Sequence, residues 1–245
     1  MTLLDQYLKG ETEQVYSEIE KLGSKAFSNE YYGDVVSVVT ETMRRVSYNL
    51  QVIHHALQEC NYQFYTSEES SWYIPLSPPI ANVKKRLQEY EEKVHPFGSL
   101  PLSLKLFYEI VGGCNFAWDY TKVDNTDWEG LDPIQIAPLD ALMDEQDSSD
   151  WKDIMQEIIE DGNLPWIELA ADYLHKDNIS GGPAYSIELT KTASVDSRFI
   201  NEEHETTFIG YLRLIMQNGG FGRPYVGEEK YDLYYQKVHS KLLKI

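Results

Sequence analysis

Leu100-Pro101-Leu102-Ser103-Leu104-Lys105-Leu106-Phe107-Tyr108-Glu109-Ile110-Val111-Gly112-Gly113 is the stretch from which the fold is read. Pro101 suits the first turn of a helix, where its missing N–H costs nothing. Leu104, Leu106, Phe107, Ile110 and Val111 then supply a helical apolar face, and Gly112-Gly113 ends the helix where a residue with positive φ is needed. Immediately afterwards the period changes. Asn115-Phe116-Ala117-Trp118-Asp119-Tyr120 alternates as a strand does, with a polar turn behind it.

Upstream, the chain reads as helical. Val35 to Gln58 contains no Gly or Pro, and Val35, Val38, Val39, Met43, Val46, Leu50, Ile53 and Leu57 recur in steps of three and four. Shorter helices are expected at Thr2–Leu8 and Glu11–Leu22, and another from Ile80 through Val83, Leu87 and Tyr90. Tyr65 to Pro79, broken by serines and three prolines, is expected to be extended or looped. Downstream, short strands are expected at Ile134–Ala137, Trp166–Ala170, Ala184–Leu189 and Ser197–Ile200, with the turn Ser180-Gly181-Gly182-Pro183 between the second and third. Within this part Trp151–Glu160 reads as a helix. Thr206-Thr207 reads as the cap of a closing helix that ends at Gly219-Gly220, followed by an amphipathic, basic tail from Tyr231 to Ile245. Helices first, then turn-separated strands and a closing helix, define an α+β chain.

Across the 245 residues, 40 acidic side chains face 21 basic ones, a net charge of −19. That balance repels phosphate backbones and anionic membranes and favours a basic protein partner. No stretch of 18 apolar residues occurs, and Met1–Glu13 lacks a basic segment followed by an apolar run, so neither a membrane span nor a signal peptide is expected. Cys60 and Cys114 have no metal-type spacing and are expected to be reduced and structural, in a cytoplasmic chain.

Nucleotide and hydrolase motifs are absent. Gly219-Gly220-Phe221-Gly222 follows a helix rather than a strand and reads as a helix cap. His204-Glu205 starts like a zincin motif but lacks the second histidine, and His54-His55 point about 100° apart on one helix. The best acid–base or metal constellation is Asp172, His175 and Asp177 with Glu168 nearby, the basis of an alternative reading as a metal-dependent hydrolase. A solvated loop of charged side chains explains the same residues.

Charge is distributed unevenly. Between Asp124 and Asp161 thirteen acids face one base, Lys152, and two tryptophans are interleaved. An acidic field with exposed aromatics suits the steering and anchoring of a basic protein. The expected docking residues are Trp128, Glu129, Asp132, Asp144, Glu145, Asp147, Asp150 and Trp151, with the two tryptophans as anchors. A solvated acidic loop that aids solubility is the competing explanation. No EF-hand spacing is present.

Leu100–Gly113, followed in order by Asp132-Pro133-Ile134, Trp166-Ile167-Glu168-Leu169, Ser180-Gly181-Gly182-Pro183-Ala184-Tyr185 and Thr207-Phe208-Ile209-Gly210-Tyr211-Leu212, resembles the SUKH superfamily, which includes the SMI/KNR-type cell-wall-assembly regulators and many bacterial immunity proteins. The resemblance implies an antiparallel-rich sheet flanked by helices over residues 79–222, with a helical extension at 1–78 packed on it and a tail helix at 223–245. It further implies a non-enzymatic protein binder, either an immunity protein that occludes a basic toxin or a scaffold protein. No catalytic residue, cofactor or metal ligand is carried over with it.

Overall fold

The computed structural model describes residues 1–68, 70–122, 127–147, 150–179, 181–224 and 227–245. Asp124 of the acidic segment and Ser180 of the expected turn lie outside these residues.

The first helices are α1 (Leu3–Leu8), α2 (Thr12–Leu22) and α3 (Tyr32–Glu59). Thr2 and Asp5 form a reciprocal capping box at the start of α1. The Asp34 carboxylate, in the first turn of α3, accepts from the Leu3 and Leu4 amides and docks the start of α1 there. All eight expected apolar positions of α3 are buried. This helix packs against α1, against α5 (Leu102–Ile110), and against α9 (Phe208–Gln217) and α10 (Glu229–Val238). Helix α4 (Val83–Val94) lies along α5.

Two small antiparallel sheets are present among the described residues. One has the order β1 (Leu76–Ser77), β2 (Gly113–Asn115), β3 (Gln135–Ile136), with Cys114 between Leu76 and Ile136. The other has the order β4 (Trp166–Ala170), β5 (Tyr185–Glu188), β6 (Phe199–Ile200), with Ile187 between Ile167 and Phe199. They meet where the Ala137 amide donates to Leu169 O at 2.7 Å and the Ala171 amide to Gln135 Oε1 at 2.8 Å. Helices α6 (Leu139–Gln146), α7 (Trp151–Glu160) and the single turn α8 (Tyr173–Lys176) complete the α+β architecture. One buried cluster runs from Tyr7 through Phe107, Ile136 and Leu169 to Ile245, so all parts of the chain share a core.

Two expectations are corrected. The strand foreseen at Asn115–Tyr120 stops at Asn115, whose side chain turns back to accept from the Ala117 amide at 3.0 Å; beyond it only Trp118 forms a bridge, to Phe64. Helix α6 was not foreseen, although Leu139, Leu142, Met143 and Gln146 are spaced and buried as one helical face. No helix among the described residues is long and apolar enough to cross a membrane. Cys60 and Cys114 are free, and burial pushes the Cys114 thiol up to about 12, which keeps it unreactive.

Candidate partner-binding groove

The acidic segment divides into a buried and an exposed set. Trp128, expected as an exposed anchor, is 2% exposed and stacks on Phe221, with the Tyr62 and Tyr234 rings edge-on to it. Trp151 is 5% exposed and meets Phe97 edge-on. Asp132 is buried too, held by Lys176 Nζ at 2.5 Å and the Tyr185 hydroxyl at 3.1 Å. All three are corrected from docking surface to core. For the tryptophans the physical reason is area: a large aromatic ring gains more from leaving water than its acidic neighbours in sequence can oppose, because those neighbours point outward. For Asp132 it is the buried Lys176 ammonium that compensates its charge. Glu129, Asp144, Glu145, Asp147 and Asp150 are exposed, and Asp147 is ion-paired with Lys93.

Glu145 opens onto a groove of about 540 Å³ together with Glu168, Asp172, His175 and Trp72, over a floor that includes Ala170 and Pro183. Residues foreseen for two different purposes thus share one site. Glu145 projects from the last turn of α6, and Glu168 is the outward position of β4 just before its bulge. Asp172 is the N-cap of α8 and accepts from the Leu174 and His175 amides at 2.9 and 3.4 Å. Its other oxygen pairs with His175 Nδ1. A Cβ at position 181 would lie 2.3 Å from Asp172 Oδ1, so Gly181 lets the turn close over the cap.

Electrostatics differ across the groove. Burial works against the Asp172 carboxylate, but the hydrogen bonds from the His175 ring and the two amides outweigh it and hold the group below its ordinary value. Glu145 goes the other way: partial burial, and then the charge of Glu168, raise it. Among the described residues no cation is ion-paired with Glu145 or Glu168. A raised folded-state value means that the folded chain holds the proton more tightly than the unfolded one. Stability should therefore fall as pH rises from the ordinary carboxylate value of 4.5 through the raised one. Glu168→Gln removes the like charge and, screening included, should stabilise the chain at neutral pH by about 0.5 kcal/mol in thermal melts.

Asp177 does not join the groove. Its carboxylate accepts from Trp118 Nε1 at 2.5 Å and from the Gly130 amide at 2.8 Å, so the foreseen trio Asp172, His175 and Asp177 is not assembled. Among the described residues no group of three or more His, Cys, Asp or Glu side chains is arranged to hold a metal ion. Trp72 is the residue that sequence reasoning missed; the available signal was an aromatic pair, Trp72-Tyr73, inside a Ser- and Pro-rich loop. No family model, curated protein or solved structure matches the chain.

Proposed function

We propose that this chain is a cytosolic, non-enzymatic protein-binding module of SUKH type that captures a basic partner at the groove, in the manner of an immunity protein that occludes a basic toxin. The observation that carries the reading is the pair Glu145 and Glu168, two carboxylates lining one groove, where the charge of Glu168 adds to the burial that raises Glu145 and neither has a cation of its own among the described residues. A lysine or arginine from a partner relieves that repulsion and gains two charge-assisted hydrogen bonds. The net charge of −19 adds long-range attraction, which acts mainly on the association rate.

A hexalysine peptide titrated onto the full chain tests this. Binding should weaken with added salt, and Glu145→Gln/Glu168→Gln should weaken it about tenfold, or about 1.4 kcal/mol. Because a cation needs the ionised carboxylate, affinity should rise with pH through the raised Glu145 value. No binding, or binding that ignores the double substitution, would reject the groove as the capture site.

A further inference from the structure

We infer that the docking surface continues from the groove onto a platform of three tyrosines, Tyr65, Tyr73 and Tyr120, and that it selects an arginine-bearing segment over a lysine-bearing one. This deepens the protein-binding reading and rests on it. The Tyr65 and Tyr120 rings stack, with centroids 5.3 Å apart and planes 12° apart, and Tyr73 meets Tyr65 edge-on at 5.3 Å. Tyr65 and Tyr73 come from one loop and Tyr120 from the stretch after β2, and all three stop short of burial; Tyr120 is 36% exposed, and Ile74 beside Tyr73 is 43% exposed.

The platform is held rigidly. The Tyr65 amide donates to Ala117 O at 2.8 Å, Ser70 caps the turn Ser71–Tyr73 through the Trp72 amide at 3.2 Å, and Asn115 Nδ2 donates to Trp72 O at 2.8 Å. Rings held in place before binding lose little entropy when a partner arrives. Trp72 and Tyr73 are consecutive in that turn: the first lines the groove, the second belongs to the platform. That turn packs against α6, which carries Glu145, so the aromatic platform adjoins the groove that holds the unpaired carboxylates of Glu145 and Glu168.

That combination discriminates between the two basic side chains. A guanidinium stacks flat on an aromatic ring while its edge donates to a carboxylate, and it sheds water more easily than an ammonium. An ammonium is served almost as well by the carboxylates alone.

The test compares hexa-arginine with hexalysine on the full chain by calorimetry. Hexa-arginine should bind about fivefold more tightly at equal charge. Tyr120→Leu, which keeps the apolar area and removes the π-face, should bring hexa-arginine down to the hexalysine affinity without changing the latter, and Tyr120→Phe should keep the preference. An unchanged melt of the Leu variant shows that the fold is intact; should it melt early, Tyr73→Leu replaces it. Equal affinities in the unsubstituted chain, or a Leu variant that weakens both peptides alike, overturn the platform and leave the groove standing. If neither peptide binds, both proposals fall.

Discussion

Lys176→Met is expected to lower the unfolding free energy by about 3–5 kcal/mol, the usual cost of stripping one partner from a buried ion pair. The Lys176 side chain is wholly buried, and its ammonium lies 2.5 Å from Asp132 Oδ1 and 4.7 Å from the centre of the Tyr185 ring. The Tyr185 hydroxyl donates to the other Asp132 oxygen at 3.1 Å. Methionine fills the space but leaves the carboxylate in the core with one neutral donor in place of a cation. There is little room to adjust: a Cβ on Gly222 would lie 2.5 Å from Asp132 Oδ2. Asp132→Asn keeps the backbone in a region that asparagine also tolerates, at φ 53°, and strands the ammonium instead. The double variant, with neither charge left, should cost clearly less than the two single losses added together. Urea melts read all three. A loss below about 1 kcal/mol for Lys176→Met would show that the pair adds little to stability.

The same pair explains why part of the site was hidden in the sequence. Lys176 adjoins His175 and Asp177 in a polar run that reads as solvated loop. The structure sends these three neighbours to three places: the groove, the core and the Trp118 indole. A single helical turn with its own N-cap does this, and no periodicity announces an element that short. Longer elements were legible for the opposite reason. The α3 stripe, Val35 to Leu57, repeats over about six turns, and α7 and β4 occupy their expected residues.

Trp151 was legible in principle. It stands four and seven residues before Met155 and Ile158, the buried face of α7, whereas the acids that drew attention to it, Asp153, Glu157 and Glu160, occupy the exposed face. Charge density marks a surface but does not say which aromatic side chains lie on it. The groove itself joins positions 72, 145, 168, 172 and 175, which the packing of the Ser71–Tyr73 turn on α6 and of β4 beside β3 brings together.

Gly112→Ala should be comparably damaging, at about 2–5 kcal/mol, from backbone strain and overpacking combined. Gly112 follows α5 at φ 98°, and its amide donates to Phe107 O at 3.0 Å. A Cβ there would lie 2.2 Å from Ser77 O, 2.5 Å from the Pro78 carbonyl carbon and 2.7 Å from Pro79 N, all backbone atoms that cannot swing aside. The clash falls beside the Ser77–Gly113 pairing that aligns β1 with β2. The Ser71–Tyr73 turn lies just before β1, so relief by moving that strand would also displace Trp72 and Tyr73. Gly162→Ala separates the two causes. It has a similar φ of 82° but nothing within 4 Å of the added carbon, and so bears strain alone. The Gly112 variant should melt well below the Gly162 variant and bind hexa-arginine more weakly. Equal melting of the two would mean that Ser77–Pro79 gives way freely, and that Gly112 is needed for its dihedral angle and not for its size.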